Sequence, residues 1–413
     1  MQAVGIVAEY NPFHNGHQYH IAQTKAQCAD TDGIIAVMSG NFTQRGEPAV
    51  FDKWTRTQAA LHGGADLVLE LPTAFATRSA GYFARGAVLT LAATGVVSHL
   101  SCGVEAGDGQ DIASALYQIA TLLAEEPEPY QAALQQSIGQ GLAFPQARQK
   151  ALQELNIPGA NLLDTPNNIL ALEYLQNIAS EKLPIAPLLI PRAGNYHAEQ
   201  VPADTQEFAS ATAIRKLMLE ENTAWQSHMP YLCAQTLSEH LGKAYPPMHM
   251  DCFFSQLLFL LRRATVSDLQ SIVEMSEGLE HRILEAAHQD LHTVDDLCTA
   301  IKSKRYTYTR IQRTLLHILL NVTESYTANN PAYIRVLGFN ATGQKLLKEM
   351  KQKAQLPILI RPARQKNELT EQGRNLLELD VRATNLYYMG YANPVLRQTN
   401  LDYLRMPVQV EAP

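Results

Sequence analysis

The chain has 413 residues, of which 46% are apolar, and carries a net charge of −7 at pH 7. This length predicts one large or two ordinary domains with a full core. No apolar run approaches the roughly 20 residues that span a bilayer, and the N-terminus lacks the basic-apolar pattern of a signal peptide, so we expect a cytoplasmic protein with no membrane partner. Five scattered cysteines without C-x-x-C spacing argue against a disulfide framework or a zinc site.

The first 220 residues alternate short apolar runs with helical patterns, which predicts parallel βαβ units and an α/β fold. Strands are predicted at residues 4–8, 33–38, 66–71, 100–104 and 188–191, and helices at residues 16–29, 52–62, 79–94, 111–125, 168–181 and 211–220. The pattern weakens at 222–250, where Pro246-Pro247 indicates a boundary. Residues 251–413 then read as mostly helical, with a short mixed segment that comprises a run at 336–340, a helix at 342–353 and an apolar run at 356–360.

The first predicted strand and its turn read I-V-A-E-Y-N-P-F-H-N-G-H-Q-Y over residues 6–19. His14 and His17 flank Gly16 at the start of a predicted helix. The arrangement H-x-G-H is typical of nucleotide-activating enzymes, because helix N-terminal N–H groups attract phosphate and a glycine lets ATP approach the backbone. Two imidazoles there can donate to the α-phosphate as charge develops. Alone, the tetrapeptide is also compatible with two surface histidines beside a turn.

A second phosphate-binding pattern lies at residues 208–215, F-A-S-A-T-A-I-R. Ser210 suits a helix N-cap, and Thr212 and Arg215 then lie three apart on one face. A hydroxyl-rich helix start and an arginine fork can hold the β- and γ-phosphates. An ordinary capped helix with a surface arginine is the alternative.

Further polar residues follow other predicted strands and would meet at the same sheet edge. Gly103 could admit the nucleotide, Arg192 could contact phosphate, and one of Asn167 and Asn168 could bind adenosine while the other caps a helix. The loop at residues 39–46 brings Gln44 and Arg45 to this edge. Glu9 and Asp66 are the nearest general-base candidates, but a carboxylate nucleophile would need no base.

The two parts of the chain differ in charge. Residues 1–250 hold 13 Lys and Arg against 23 Asp and Glu, whereas residues 251–413 hold 20 against 17. Basic residues interleaved with Tyr306 and Tyr308 can grip phosphates and stack bases, which predicts RNA binding by the second part. The predicted contacts are Lys302, Lys304, Arg305, Arg310 and Arg313. A solvated helix face is the plainer reading of such a run.

Taken in order, six segments resemble the bacterial tRNA(Met) cytidine acetate ligases of the HIGH-type nucleotidyltransferase superfamily. They are I-V-A-E-Y-N-P-F-H-N-G-H, S-G-N-F-T-Q-R-G-E-P, G-A-D-L-V-L-E-L-P, P-N-N-I-L, S-A-T-A-I-R and R-V-L-G-F-N-A-T-G, and the resemblance runs from residue 2 to about 390. Ala171 stands where the family pattern has glycine after N-N-I-L.

The pattern along the chain and the resemblance together predict a Rossmann-like nucleotidyltransferase domain at 1–225, a linker at 226–250, and a mostly helical, basic tRNA-binding domain at 251–413. The resemblance implies that acetate is activated with ATP, with Mg²⁺ accompanying the ATP, and that acetyl is transferred to N4 of the wobble cytidine of elongator tRNA(Met). The catalytic residues would be His14 and His17. The implied ATP-binding residues are Ile6, Val7, Ala8, Glu9, Tyr10, Asn11, Pro12, Phe13, His14, Asn15, Gly16, His17, Gln18, Tyr19, Gly103, Asn167, Asn168, Arg192, Ser210, Thr212 and Arg215.

Two other functions use the same features. A small-metabolite adenylyltransferase also carries H-x-G-H, but such enzymes are usually complete within one α/β domain. A non-catalytic RNA-binding protein would have no need for an intact His14, Gly16 and His17. No dedicated metal site and no oligomeric state can be predicted from the sequence.

Overall fold

The computed structural model describes residues 1–105, 112–142, 144–192, 208–276, 278–303, 305–327 and 330–411. Lys304, a predicted RNA contact, and residue 111, the predicted start of a helix, lie outside this part of the chain. No helix in the described ranges is long and apolar enough to cross a bilayer.

One mostly parallel sheet forms the centre of the fold. Its strands are β1 (Ala3–Ala8), β2 (Gly33–Ser39), β3 (Leu67–Leu71), β4 (Val97–Val104), β5 (Ala186–Pro191), β6 (Ile334–Phe339), β7 (Ile358–Leu359) and β8 (Val408–Gln409). The order is β5-β4-β1-β2-β3-β6-β7, with β8 paired to β6. The first five strands are mutually parallel and β6 runs antiparallel to β3. The α/β class with a parallel Rossmann-like sheet is therefore confirmed.

Helices follow these strands on both faces. In the first part they are α1 (Asn15–Gln27), α2 (Lys53–His62), α3 (Thr73–Ala76), α4 (Ala80–Ala93), α5 (Ile112–Glu125), α6 (Glu128–Gly139), α7 (Phe144–Glu154), α8 (Pro166–Ser180) and α9 (Ala211–Leu219). The later helices are α10 (Tyr231–Gly242), α11 (Phe254–Arg263), α12 (Val266–Gln270), α13 (Leu279–Ala287), α14 (Val294–Ile301), α15 (Tyr308–Leu320), α16 (Ala341–Lys353), α17 (Pro362–Gln365), α18 (Glu371–Met389) and α19 (Leu401–Leu404).

The sheet separates two apolar cores, because alternate side chains of a strand point to opposite faces. In β2, Ile34 belongs to the core that also contains side chains of α1, α2, α9 and α10, whereas Ile35 belongs to the core that contains those of α4, α5 and α8. Both faces are covered, which explains why the central strands are continuous apolar runs.

The second part of the chain completes this sheet as well as adding helices. Strands β6, β7 and β8 all come from residues beyond 330. Residues 226–250, predicted as a linker, contain α10, in which Cys233 and Leu237 are fully buried. The Cys233 thiol donates to the Ala59 carbonyl of α2 at 3.2 Å. This segment is therefore packed structure, and the division into 1–225 and 251–413 stays a prediction.

Candidate active site

A cavity of about 360 Å³ opens at the carboxyl ends of β1, β4 and β5. The chain order of the strands reverses between β1 and β4, and open α/β sheets bind ligands at such a point. The lining includes Ile6, Val7, Ala8, Glu9, Tyr10, Asn11, His14, Gly16, His17, Tyr19, His20, Gln44, Arg45, Glu47, Ala80, Phe83, Cys102, Gly103, Asn167, Leu170, Tyr174, Ile190, Arg192, Phe208, Ser210, Thr212 and Arg215. Both predicted phosphate-binding motifs thus meet at one site.

His14 and His17 form the N-terminal cap of α1. The Gly16 N–H donates to His14 Nδ1 at 3.1 Å, and the His14 N–H donates to His17 Nδ1 at 3.2 Å. A ring nitrogen that accepts carries no proton, so in the neutral imidazoles the proton resides on Nε2. The two rings lie 3.8 Å apart between centroids and both line the cavity. The cap therefore fixes two neighbouring Nε2–H donors at a helix N-terminus.

Both imidazoles are neutral at physiological pH. Burial, followed by the charges of Arg192 and Arg215, lowers the pKa of His14 to about 3. Burial, together with His14 and Arg192, lowers the pKa of His17 well below its usual value. Each ring can therefore donate one hydrogen bond to an anion without carrying charge.

Glycine is required at position 16 for a reason other than the predicted one. A Cβ at this position would lie 2.9 Å from His14 Cε1, so a side chain here would displace the capping ring. The glycine is needed first for the His14 cap. Close approach of a nucleotide to the backbone depends on the same absence of a side chain.

His20 also lines the cavity and was missed from the sequence. Its Nε2 lies 2.9 Å from Ser101 Oγ, Ser101 Oγ lies 2.7 Å from Thr24 Oγ1, and Thr24 Oγ1 donates to the His20 carbonyl. Because the Thr24 hydroxyl proton is used on that carbonyl, Ser101 must donate to Thr24 and accept from His20. His20 therefore carries its proton on Nε2 and presents a bare Nδ1. The sequence signal that could have identified His20 is the three-residue spacing of His14, His17 and His20.

The second motif places α9 with its N-terminus at the cavity. Ser210 caps this helix, accepting from the Ala213 N–H at 3.0 Å. Arg215 donates to the Asn11 carbonyl at 2.9 Å and pairs with Glu47 at 3.4 Å. This hydrogen bond ties α9 to the turn between β1 and α1. Helix N–H groups and a guanidinium then converge on one anion site.

The structure distinguishes the two asparagines at the start of α8. Asn168 is 1% exposed, and its side chain accepts from the Glu105 N–H at 2.9 Å and donates to the Glu105 carbonyl. Asn167 faces the cavity, donates to the Glu105 carboxylate, and accepts from Arg192 at 2.8 Å. Asn167 is thus the nucleotide-contact candidate, and Asn168 anchors the end of β4.

Gly103 contributes by making room for Arg192. A Cβ at Gly103 would lie 3.1 Å from Arg192 Cγ. The arginine stem therefore crosses β4 where a side chain would stand, and its guanidinium reaches Asn167. Gly103 and Arg192 both line the cavity.

We expect Asn167→Ala to weaken ATP binding about tenfold or more, because it releases Arg192 and a hydrogen bond to a charged group contributes about 1.5–3 kcal/mol. Asn168→Ala should instead lower the free energy of unfolding by about 1–3 kcal/mol, since it leaves backbone groups of Glu105 unpaired. Calorimetric titration with ATP and urea unfolding of both variants test this difference. A larger loss of ATP affinity in Asn168→Ala would contradict it.

Some predicted ATP-binding residues do not line the cavity. Phe13 is fully buried, Asn15 donates to the Ser227 carbonyl at 3.4 Å, and Gln18 is exposed on α1. Pro12 lies buried in the turn. These residues form the β1–α1 corner around the site, and Asn168, also outside the lining, holds the end of β4.

Asp66, one of two candidate bases, is structural. Its carboxylate accepts from the Ile34 N–H and from Asn340 Nδ2, each at 2.8 Å. Glu9 does line the cavity. In the described ranges, no group of three or more His, Cys, Asp or Glu could hold a metal ion.

The predicted RNA contacts fall into two groups. Lys302 and Arg305 are exposed. Arg310 is half-buried and donates to Ser276 Oγ at 2.6 Å, and Arg313 is half-buried and lies 3.6 Å from the Glu274 carboxylate. The two later arginines are thus engaged in internal contacts.

The fold and the histidine corner place the chain in a broad class. A family model described as HIGH Nucleotidyl Transferase matches residues 1–402. The chain is therefore a HIGH nucleotidyltransferase, with the H-x-G-H motif capping α1.

More similar proteins define the family within this class. The tRNA(Met) cytidine acetate ligase of Syntrophomonas wolfei is 43% identical, over 99% of each chain, and that of Thermoanaerobacter sp. strain X514 is 40% identical, over 98% of each. Thermotoga maritima TmcAL bound with alpha-thio ATP is 36% identical, covers 100% of both chains, and superposes with a TM-score of 0.91. The chain belongs to the tRNA(Met) cytidine acetate ligase family.

Proposed function

We propose that this protein joins acetate to ATP, forming acetyl-adenylate and pyrophosphate, and passes the acetyl group to N4 of the wobble cytidine of elongator tRNA(Met). The observation that carries the proposal is the pair of Nε2–H donors fixed by the His14–Gly16–His17 cap inside the cavity. The names of full-length relatives supply the substrate class. The reaction takes place in the cytoplasm, where its tRNA substrate is found.

The site suits attack by an anion on an anion. Acetate is already ionised, so activation requires neutralising charge at the α-phosphate and aligning the attack. His14 and His17 donate to oxygens of that phosphate while the α9 N-terminus and Arg215 hold the departing phosphates. Mg²⁺, if bound with ATP, would supply further charge neutralisation at the phosphates.

Mass spectrometry of nucleosides tests the proposal directly. Elongator tRNA(Met) incubated with the protein, ATP and isotopically labelled acetate should yield labelled N4-acetylcytidine and AMP. Omitting acetate while retaining ATP is the matched control. Adenylylation of a small metabolite, with no label in the tRNA, would show the alternative function.

The exposed basic residues should bind the tRNA. We expect Lys302→Glu together with Arg305→Glu to weaken tRNA binding and to reduce the slope of log affinity against log salt by about 0.7–0.9 per lost phosphate contact. Pyrophosphate exchange with acetate and ATP reports adenylation without tRNA. Lys182→Glu, an exposed lysine at the end of α8, is the matched control.

Charge reversal at Arg310 and Arg313 would not be a clean test of tRNA binding. Arg313 pairs with Glu274, and Glu274 also binds Arg78 at 2.9 Å. A glutamate at position 313 would face that carboxylate and disturb the packing.

Unchanged tRNA affinity in the Lys302 and Arg305 double variant would contradict the predicted surface.

A further inference from the structure

The cavity has two chemically different halves. Around α1 and α9 it presents N–H donors and guanidinium groups. Between α4, α8 and β4 it presents an apolar wall made of Ala80, Phe83, Leu170, Tyr174 and Cys102. Phe83, Tyr174 and Cys102 belong to the core on the opposite face of the sheet from α1. The donor half accommodates the triphosphate, and Gly103, Asn167 and Arg192 are the candidates for contacts to the rest of the nucleotide. The apolar wall contains none of the predicted ATP-binding residues.

Glu9 stands beside this apolar wall. Its Oε1 accepts from the Gln44 N–H at 2.8 Å, and Gln44 Nε2 is fixed by the Arg78 carbonyl at 3.2 Å. Tyr174, Cys102 and Glu9 all line the cavity. Burial is the main cause that raises the pKa of Tyr174, and the charges of Cys102 and Glu9 add to it. The backbone of Glu9 is held by Arg56, which donates to its carbonyl at 2.6 Å.

Within the described lining, the carboxylates are Glu9 and Glu47. Glu47 pairs with Arg215 at 3.4 Å and so belongs to the phosphate half. His14 and His17 hold their protons on Nε2 and cannot accept there. His20, with its unprotonated Nδ1, is the remaining histidine of the lining that could accept a proton. Glu9 is thus the carboxylate placed to accept a proton next to an apolar chamber.

Resting on the proposed function, we infer that the apolar chamber receives the acceptor pyrimidine and that Glu9 is the general base for acetyl transfer. The cytosine N4 attacks the carbonyl carbon of acetyl-adenylate, and a C–N bond forms. The C–O bond to phosphate breaks, and AMP leaves with that electron pair. The proton lost from N4 passes to Glu9 Oε2 and then to water.

The electrostatics of the site agree with this role. Burial is the main cause that raises the pKa of Glu9, with Glu47 adding to it, while the Gln44 N–H, Arg45 and Arg215 oppose it. A carboxylate whose pKa is raised toward the operating pH is a better general base than one with the usual pKa. The charged groups that act on it are Glu47 and Arg45 on the loop and Arg215 on α9, and Glu9 in turn acts on Tyr174 of α8.

The test bypasses adenylation. Synthetic acetyl-adenylate and tRNA(Met) are supplied to the full-length enzyme, and single-turnover formation of N4-acetylcytidine is followed from pH 5.5 to 8.5. Glu9→Gln keeps the acceptor for the Gln44 N–H and is expected to slow transfer about 100-fold or more and to flatten the rise of rate with pH. Glu9→Asp should retain that rise at an intermediate rate. Glu220→Gln, which changes an exposed carboxylate just after α9 and outside the cavity lining, should keep the wild-type pH profile.

Two results overturn the inference. One is transfer by Glu9→Gln within about threefold of wild type, and the other is slow transfer that keeps the wild-type pH profile, which would mean that Glu9 only positions the loop. Loss of the pH dependence in His20→Asn instead would assign the base to His20. If the wild-type enzyme forms no N4-acetylcytidine from acetyl-adenylate or from ATP and acetate, the proposed function itself fails.

Discussion

His17→Ala should reduce acetate-dependent pyrophosphate exchange by about 100- to 1,000-fold, the loss that follows removal of one preorganised donor to developing charge. The donor is Nε2–H, whose orientation is set by the His14 N–H that holds Nδ1. Isotope exchange between pyrophosphate and ATP, with and without acetate, measures this step without tRNA. Gln18→Ala, an exposed neighbour on α1, is the matched control.

Loss of the helix cap must be separated from loss of the donor. His17 also accepts the His14 N–H, and removing a cap lowers the free energy of unfolding by about 0.5–2 kcal/mol. We therefore expect only a small drop in urea midpoint alongside the large loss of exchange. Exchange within about threefold of wild type would remove His17 from the mechanism.

The two neutral histidines also determine how adenylation responds to pH. An ordinary histidine changes charge near pH 6.5, but burial lowers the pKa of His14 to about 3 and that of His17 well below the usual value. Both rings keep the same protonation state from pH 6 to 8. The exchange rate should accordingly show no histidine titration in this range, and a sharp change near pH 6.5 would contradict the neutral tautomers.

The H-x-G-H corner could be predicted because its contacts are local. His14, Gly16 and His17 bond within three residues of one another, and the five parallel strands are apolar runs bounded by turn signals. Local patterns of this kind are read directly from sequence. The predicted strands and helices of the first 220 residues accordingly match observed elements.

What could not be predicted depends on contacts between distant residues or on helix phase. The tautomer of His20 is set by Ser101, 81 positions later. Asn167 and Asn168 are adjacent in sequence, yet one faces the cavity and the other binds the Glu105 backbone, because successive side chains on a helix point in different directions. Arg313 looked like an RNA contact, since nothing local indicates its pairing with Glu274.

Segments 336–340 and 356–360 are set apart from the predicted helices as a mixed segment, but they and β8 are not predicted as strands of the sheet, for a related reason. Strand β6 pairs with β3 across more than 260 positions, and β7 and β8 are two residues each. Short apolar runs do not distinguish a strand from a buried helix segment. The two parts of the chain are joined at this edge of the sheet by backbone hydrogen bonds and by buried charges.

Lys53→Met should lower the free energy of unfolding by about 3–5 kcal/mol, the cost of removing one partner of a buried ion pair. Lys53 is 0% exposed, and its Nζ lies 2.6 Å from Glu70 Oε1 and 2.7 Å from Asp402 Oδ1. Burial alone would lower the pKa of Lys53, but Asp402 and Glu70 raise it above its usual value, so the amine stays charged. Without it, Glu70 and Asp402 stay buried without the lysine that they share, and Arg335 lies 3.5 Å from Asp402 Oδ1.

Urea unfolding of the full chain measures this loss, with exposed Lys351→Met on α16 as the matched control. Adding Glu70→Gln and Asp402→Asn to Lys53→Met should recover part of the stability, because neutral partners no longer need a cation. The recovery identifies unpaired charge, and not lost side-chain volume, as the cause. Lys53 and Glu70 come from the nucleotide-binding part and Asp402 from the C-terminal end. If the free energy of unfolding of Lys53→Met were within about 1 kcal/mol of the wild-type value, this cluster would not hold the two parts together.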